Sequence, residues 1–468
     1  MKDTYTLSAD CYIIPYPEKD QFSYIAYFPI QSLVFEVNED AALILSSLKT
    51  KPYKTDDPSI KEFLDHLESL KVLNQSKEIQ PFIPYKENHE PTRTILLVSD
   101  KCNLNCLYCY NNAQSKGKMM TLRMAKDTID LIVRNALAQK MRSIELGYHG
   151  GGEPTMNWSV LTGSLNYARK QCQEHGLHLN SSICTNGIFP AEKAQWIIEN
   201  INDIAISADG PPEIQNKQRP FHNGKGSFEQ VAATIDLFNL NKKSYAIRLT
   251  ATEHSEGKLV QVIQFLIDRF HSPIICIEPL FVCGRCETSG CRPPKDGNFI
   301  NEMIEAYELG KKNKISVQYS GNRLTLLLSR FCGAQGSNFF ITPEGDVTSC
   351  LEVSSRDDPR ADFFMYGKYD KSTRKFTFDN KKLKRLTDNQ VQSFETCSDC
   401  FAKWHCGGDC LAKTPDFSKV STQRNAYRCK INKALTRDTL IKTMNQQIEI
   451  SKDVVMGLRY HYVKQLKI

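Results

Sequence analysis

Short apolar runs alternate with amphipathic stretches along the middle of the chain. The apolar runs are rich in β-branched residues, which favour strands, and they span 94–99, 143–149, 179–184, 203–208, 245–251 and 273–279. Between them, stretches such as 122–140, 191–200 and 258–270 repeat apolar side chains at helical spacing. Six strand-then-helix units in series predict a parallel sheet with crossover helices. We therefore expect an α/β fold, a partial (β/α)6 barrel, over residues 91–300.

The chain before and after this alternation has a different pattern. Residues 1–90 predict three short strands and two helices, which we expect to form a small winged-helix-like domain of their own. The predicted strands lie near Cys11–Pro15, Phe22–Phe28 and Ser32–Glu36, the helices span 39–48 and 59–70, and a linker follows over 76–93. Residues 301–430 are irregular and rich in cysteine, glycine and aspartate, which predicts a domain held by metal. Residues 431–468 predict a helical tail.

Composition is that of a folded protein: 41% of the 468 residues are hydrophobic and 24% are charged. The net charge of +7 resides in the tail, for which a solvated helix face is the commoner explanation, so we expect no nucleic-acid partner. No apolar run of membrane-spanning length occurs and the start lacks the features of a signal peptide, which predicts a cytoplasmic protein without a membrane partner. In that compartment, clustered cysteines among a total of 17 indicate metal or redox chemistry.

The first cysteine cluster directly follows the first strand of the alternating region. Cys102, Cys106 and Cys109 are spaced C-x3-C-x2-C. Three thiolates on a four-iron cluster leave one iron free to bind a small molecule, whereas zinc would normally show C-x2-C pairs and four ligands. With Tyr108 before the last cysteine, this loop resembles the signature of the radical S-adenosylmethionine superfamily.

The resemblance implies a set of cofactor contacts at successive strand ends. Glycines let the backbone approach a ligand, a carboxylate can accept from an ammonium group, and arginine suits a carboxylate. The implied contacts with S-adenosylmethionine are Tyr108, Gly151, Gly152, Glu153, Asn186, Ser207 and Arg219. In the family, a reduced four-iron four-sulfur cluster splits this cofactor into methionine and a 5′-deoxyadenosyl radical, which removes a hydrogen atom from the substrate. We expect the barrel to close around that radical.

A second cysteine constellation lies in the irregular region. Its members are Cys332, Cys350, Cys397, Cys400, Cys406, Cys410 and Cys429. The order and spacing resemble the SPASM domain, which carries auxiliary four-iron four-sulfur clusters; a zinc knuckle over 397–410 is the alternative, but it leaves the other three cysteines unexplained. The resemblance implies two auxiliary clusters, a distal one on Cys397, Cys400, Cys406 and Cys429 and a proximal one on Cys332, Cys350 and Cys410.

The proximal cluster is then one ligand short. Either that site is open, or Cys283, Cys286 or Cys291 closes it. Cys11, Cys172 and Cys184 are expected to be plain buried thiols.

The N-terminal pattern bears on the substrate. Strands followed by a helix over 27–49 resemble a PqqD-like recognition domain, which peptide maturases use to hold a leader peptide and which could accept an added strand. We therefore expect a maturase that forms a thioether or carbon–carbon crosslink in a ribosomally made precursor peptide, with flavodoxin or ferredoxin as electron donor. An anaerobic sulfatase-maturating type of protein oxidase is the alternative. A non-catalytic metal-held binding or electron-transfer protein is the third hypothesis, and the catalytic base is not indicated.

Overall fold

The N-terminal unit is a three-stranded antiparallel meander with two helices on one face. The structure, a computed structural model, describes residues 4–19, 22–75, 81–446 and 458–461. The elements of the unit are β1 Thr4–Tyr5, β2 Tyr12–Lys19, β3 Phe22–Phe28, β4 Leu33–Val37, α1 Glu39–Leu48, β5 Tyr53–Lys54 and α2 Pro58–Ser69. Asn38 caps α1 by accepting a hydrogen bond from the Ala41 N–H at 2.9 Å. The predicted strands and helices are confirmed, whereas the recognition role of the unit stays a prediction.

The middle of the chain forms the predicted parallel sheet. Its strands are β6 Arg93–Leu96, β7 Ser143–Tyr148, β8 His178–Thr185, β9 Asp203–Ser207, β10 Ala246–Ala251 and β11 Ile274–Pro279. The crossover helices are α3 Leu122–Ala138, α4 Trp158–His175, α5 Ala191–Asn200, α6 Pro212–Gln218, α7 Phe228–Leu240 and α8 Leu259–Phe270. Neighbouring strands pair in parallel in chain order, and the apolar residues between sheet and helices form the main core. The α/β fold class with a partial barrel is therefore confirmed.

This sheet continues at both edges into the cysteine-rich part of the chain. After α9 Cys286–Ser289 and α10 Asp296–Asn313, β12 Ser316–Gln318 pairs in parallel with β11. At the other edge, β13 Phe340–Ile341 pairs in parallel with β6. The sheet then runs antiparallel through β14 Asp346–Thr348, β15 Met365–Asp370 and β16 Lys375–Phe378, which gives eleven strands in the described residues. The barrel and the segment that carries Cys350 therefore share one sheet.

The remaining elements lead back to the N-terminal unit. They are α11 Ala361–Phe364, α12 Asn380–Asp388, α13 Lys403–Cys406, α14 Ala426–Gln446 and β17 Leu458–His461. The helical tail predicted over 431–468 is confirmed to Gln446, and residues 447–457 and 462–468 lie outside the described residues. At 458–461 the helix prediction is wrong. Those residues pair antiparallel with β4, because backbone groups at a sheet edge accept a strand that local helix signals do not foresee. Among the described residues, no helix combines the length and the apolar character that a membrane span requires.

The N-terminal unit lies against the segment that contains four clustered cysteines. Apolar side chains on one face of its meander pack against Leu440 and Met444 of α14. The Tyr27 hydroxyl lies 2.5 Å from Nε2 of His405, and Trp404 Nε1 donates to Asp10 at 2.7 Å. Because Trp404 and His405 immediately precede Cys406, the N-terminal sheet directly supports the cysteine-rich loop.

Candidate active site

The three cysteines of the first motif line one cavity at the carboxyl end of the parallel sheet. Cys102, Cys106 and Cys109 lie in the loop after β6, and the cavity beside them has a volume of about 340 Å³. Ligand sites of open α/β sheets gather at this edge. The cavity is lined by all seven residues predicted to contact the cofactor, namely Tyr108, Gly151, Gly152, Glu153, Asn186, Ser207 and Arg219.

The glycine run after β7 presses against the backbone that leads into the cysteine loop. The Gly152 N–H donates to the Ser99 carbonyl at 2.7 Å, and the Glu153 N–H donates to the Lys101 carbonyl at 2.8 Å. A Cβ at Gly152 would lie 2.0 Å from the Lys101 carbonyl oxygen. Gly151 has a φ of +63°, which side chains rarely adopt. The glycines therefore set the position of the residue before Cys102.

Replacing Gly152 by alanine is expected to displace the cysteine loop, because the contacted atom belongs to backbone and cannot rotate away. Overpacking costs about 1–3 kcal/mol or more. We therefore expect the iron bound by the 102–109 motif to fall at least about tenfold. Iron content after anaerobic reconstitution measures the effect. Gly297→Ala is the matched control, because a Cβ there meets nothing within 4 Å. Equal iron in the two variants would contradict the conclusion that Gly152 positions the cysteine loop.

Glu153 joins the loops after β7 and β8. Its Oε1 accepts from the Thr155 N–H, the Thr155 hydroxyl and the Thr185 hydroxyl at 3.1, 2.9 and 2.8 Å, and its Oε2 accepts from the Asn186 N–H at 2.8 Å. Burial raises the pKa of Glu153, although these hydrogen bonds act in the opposite direction. Both carboxylate oxygens thus have protein partners. The sequence predicted a contact with an ammonium group and gave no sign of this bracing role.

Asn186 connects the end of β8 to the first cysteine. Its Nδ2 donates to Asn103 Oδ1 at 2.7 Å and lies 3.7 Å from Cys102 Sγ, and its Oδ1 accepts from the Ile188 N–H at 2.8 Å. Amide donors near a thiolate stabilise its negative charge. Asn186 is therefore placed to orient the Cys102 sulfur.

A buried polar network holds Tyr108. The Tyr108 hydroxyl donates to Asp209 Oδ2 at 2.6 Å and accepts from Arg219 Nη1 at 2.6 Å. Burial lowers the pKa of Arg219, but attraction to Cys106, Tyr108 and Asp209 outweighs it and leaves that pKa well above its usual value. Asp209 also accepts from Gln218 Nε2 and from the Thr250 N–H, at 2.8 and 3.1 Å. Asp209 is a structural member of the site that was not among the predicted site residues.

Arg285 donates hydrogen bonds to several residues of the cysteine loop. Its Nη1 donates to the Cys106 carbonyl at 2.9 Å, its Nε donates to Asn112 Oδ1 at 3.1 Å, and its Nη2 donates to the Ala113 carbonyl. Its own N–H donates to the Cys109 carbonyl at 3.0 Å. Sequence reasoning missed Arg285, and the available signal was its place inside the Cys283–Cys286 pair in the loop after β11.

Two buried nitrogen atoms of cavity-lining residues have no hydrogen-bond partner within the described residues. They are Nδ1 of His149 and Nε of Arg219. Burial lowers the pKa of His149 to about 3, so its imidazole is neutral. Leaving a buried polar atom unpaired costs about 1–3 kcal/mol, and such atoms in a cavity wall fit a polar ligand. The cavity wall also contains the three thiols of the first motif and the guanidinium groups of Arg219 and Arg248. This set of groups fits an anionic cluster with a polar cofactor.

Electrostatic interactions link the seven cysteines of the second constellation in two sets, while their role as cluster ligands stays a prediction. Charge interactions join Cys406 and Cys429 to Cys397 and Cys400. A second set of charge interactions joins Cys350 and Cys410 to Cys332. Burial raises the pKa of Cys410 and Cys429 to about 12, so these thiols need a cation to ionise at neutral pH. All 17 cysteines are free, which leaves them available to metal.

Asp409 and Arg428 form a buried ion pair between these groups. Arg428 Nε lies 3.0 Å from each carboxylate oxygen of Asp409, and the two side chains are 1% and 2% exposed. Arg424 donates to the Asp409 carbonyl at 2.9 Å. The pair therefore fixes the turn between Cys406 and Cys410.

The region that carries the second cysteine constellation supplies one wall of the cavity, which we call the far wall and which includes Glu352 and Lys413. Glu352, two residues after Cys350, and Lys413, three after Cys410, line the cavity together with Cys102 and Cys106. Cys283 lines it too, whereas Cys286 and Cys291 pack against Leu107 and Tyr108. Of the three cysteines proposed to close the proximal group, only Cys283 faces the same cavity as Glu352.

The three cysteines expected to be plain buried thiols differ in their surroundings. Cys11 and Cys172 are buried as predicted. Cys184 is instead only partly buried and lines the cavity together with Thr185 and Asn186, because β8 ends at the carboxyl edge of the sheet.

Residues 96–266 match the family described as the Radical SAM superfamily. The chain therefore contains a radical SAM domain, which makes it an enzyme and implies S-adenosylmethionine and one four-iron four-sulfur cluster as cofactors. A "Cysteine-type anaerobic sulfatase-maturating enzyme" of Clostridium novyi is 24% identical over 342 residues, 68% of this chain and 87% of its own. The "Radical SAM cyclopropyl synthase TigE" of Paramaledivibacter caminithermalis is 22% identical over 442 residues, 84% of this chain and 87% of its own.

Two solved structures share the fold. Native anSMEcpe with bound AdoMet and Cp18Cys peptide has a TM-score of 0.60 at 17% identity, covering 76% of this chain and 99% of its own. Streptococcus suis SuiB bound to precursor peptide SuiA has a TM-score of 0.50 at 17% identity, covering 90% of this chain and 99% of its own. The cysteine-rich C-terminal region is consistent with these neighbours.

Proposed function

We propose that this radical SAM enzyme is a peptide maturase, which forms a thioether or carbon–carbon crosslink in a ribosomally made precursor peptide. The observation that carries the proposal is the N-terminal unit seated on the cysteine-rich loop. Tyr27 contacts His405, and Asp10 accepts from Trp404, so the unit that we predict to hold a peptide is joined to the segment that holds four cysteines. A peptide bound to that unit would lie next to the part of the enzyme that forms the cavity.

The coverage of the relatives supports this choice. Residues 91–468 make up about four fifths of the chain. The match to the cyclopropyl synthase covers 84%, so it extends into the N-terminal unit, whereas the match to the sulfatase-maturating enzyme covers 68% and need not do so. SuiB, which is bound to a precursor peptide, covers 90%.

The cofactor assignments of this proposal follow the cavity. Cys102, Cys106 and Cys109 would hold the cluster beside which S-adenosylmethionine supplies a hydrogen-abstracting radical. The seven residues from Tyr108 to Arg219 named above would contact that cofactor. The two auxiliary clusters would occupy the two cysteine groups, and an electron donor such as flavodoxin or ferredoxin would supply the reducing electron.

The residues of the far wall fit the oxidative half of a crosslink. Joining two atoms that each carry a hydrogen removes two electrons and two protons, and abstraction of one hydrogen atom accounts for half of them. Glu352 lines the cavity and interacts with the charges of Cys332, Cys350 and Cys410, so a proton acceptor lies beside the proximal cysteines. Glu352 would take the remaining proton, and the cluster that Cys332, Cys350 and Cys410 would hold would accept the remaining electron. The same wall would suit the sulfatase-type oxidation, which is the second candidate because of the relative from Clostridium novyi.

The test begins with the full chain, reconstituted anaerobically with iron and sulfide. We expect about twelve irons per chain, four for each of three clusters, and formation of 5′-deoxyadenosine when reductant and S-adenosylmethionine are added. Short peptides encoded beside the gene are then assayed by mass spectrometry for the loss of two hydrogen atoms. A sulfatase peptide with cysteine at the position to be oxidised is assayed in parallel.

The two arms separate the candidate functions. Loss of two hydrogens with a crosslink that survives reduction and tandem fragmentation supports the maturase. Conversion of the sulfatase cysteine to an aldehyde, with no change in the other peptides, would replace the maturase proposal by the sulfatase type. Zinc in place of iron, with no cleavage of the cofactor, would overturn both.

A further inference from the structure

Two loops behind the cysteine loop bring three metal-binding side chains together. Glu253 and His254 follow β10, and Cys291 lies in the loop after β11. One ligand atom from each side chain lies within 4.8 Å of the other two. None of the three lines the cavity described above, so this cluster is separate from the site of the radical chemistry.

The backbone around the cluster is fixed before any metal binds. The Glu253 N–H donates to the Arg292 carbonyl at 2.9 Å, and the Arg292 N–H donates to Glu253 Oε1 at 3.3 Å. A tight turn closes when the Thr252 N–H donates to the Ser255 hydroxyl at 3.1 Å. Glu253 is therefore anchored through one oxygen, and its other oxygen is available as a ligand. A ligand that is itself hydrogen-bonded in this way is typical of metal sites.

The environment of each ligand suits a cation with access from solvent. Cys291 is 3% exposed and packs with Leu280 against Leu107 and Tyr108. His254 is half-buried and Glu253 is exposed, which leaves an entry path. The His254 ring makes no hydrogen bond to any residue that the structure describes. The positive groups that face the cluster are Lys217, whose charge acts on His254, and the exposed Arg292.

We propose that Glu253, His254 and Cys291 bind one zinc ion, apart from the iron–sulfur clusters. A thiolate, an imidazole and a carboxylate are the three ligand types that zinc accepts in tetrahedral sites, and water would take the fourth position at the exposed side. The bound ion would tie the loop after β10 to the loop after β11. Because Cys291 packs against Leu107 and Tyr108, the zinc would brace the radical-cluster loop from behind.

The experiment uses the full chain with its iron–sulfur clusters already reconstituted, so that their cysteines do not capture zinc. Zinc is added alone, excess is removed, and zinc and iron are counted by mass spectrometry. We expect one zinc per chain in the parent protein. Cys291→Ser and His254→Gln should each retain less than about a tenth of that zinc with unchanged iron, and Cys172→Ser, a buried thiol on α4, should retain all of it.

Zinc-edge X-ray absorption provides the second readout, with one sulfur and three nitrogen or oxygen neighbours expected. The proposal is overturned if the parent binds no zinc, if both variants bind as much zinc as the parent, or if the zinc shell contains several sulfurs. His254 is half-buried, so His254→Gln decides the matter should Cys291→Ser not fold. Neither result depends on which peptide the enzyme modifies.

Discussion

Replacing Cys106 by alanine is expected to abolish formation of 5′-deoxyadenosine and to lower the iron content by about four atoms per chain. Cys106 is buried, and the positive charges of Arg219 and Arg285 favour its thiolate, which is one of the proposed three ligands. A four-iron cluster normally has four ligands, and at this site three are proposed to be thiolates and the fourth to be exchangeable. The two thiolates left in the variant are too few to hold the cluster. Product formation and iron content measure the effect.

The matched control is Cys172→Ala, which removes a buried thiol on α4. It should cost stability of the order of a small cavity, about 1 kcal/mol, and leave about twelve irons. If Cys106→Ala retained full iron and product formation, the cluster would have to bind elsewhere. The assignment of the cavity would then fall with it.

Replacing Arg428 by methionine is expected to destabilise the cysteine-rich domain by about 3–5 kcal/mol, because it leaves Asp409 buried without its cation. Asp409 lies next to Cys410 in the chain, so the distal and proximal groups should both lose iron. The loss is measured as a lower midpoint of thermal unfolding, with iron counted in parallel. The radical cluster, held by the loop after β6, should keep its iron.

Lys430→Met is the control for the loss of positive charge on the same helix. Lys430 is 61% exposed and pairs with Asp296 at 2.8 Å. Exposed ion pairs contribute at most about 1 kcal/mol, so this variant should unfold close to the parent. Equal midpoints for the two variants would show that the Asp409–Arg428 pair carries no special stability.

The sequence was most informative where the signal is local. The six barrel strands follow from β-branched runs separated by helical periodicity, and they appear within one or two residues of the predicted ends, apart from the first, which ends three residues early. The three-cysteine loop was recognised because its ligands lie within eight residues of one another. The seven predicted contact residues line one cavity because consecutive parallel strands end at the same edge of a sheet.

The rest depends on contacts between distant parts of the chain. No local pattern indicates that β13 pairs with β6, that Arg285 donates to the Cys106 carbonyl, or that Asp209 accepts from Tyr108. The wrong prediction at 458–461 has the same origin, because that strand is defined by β4 and not by its own sequence. For Glu153, the residue type was correct for a ligand, but four protein donors already surround it.

The strand at 458–461 has a consequence for any peptide that arrives at the N-terminal sheet. Val34 to Val37 of β4 are paired on one side with β3 and on the other with β17, so this edge is filled by the chain itself. A tethered segment acts at an effective concentration of the order of millimolar, and an incoming strand must outcompete it. A peptide strand that added at this edge would therefore have to displace residues 458–461, whose pairing also covers the edge against other copies of the protein.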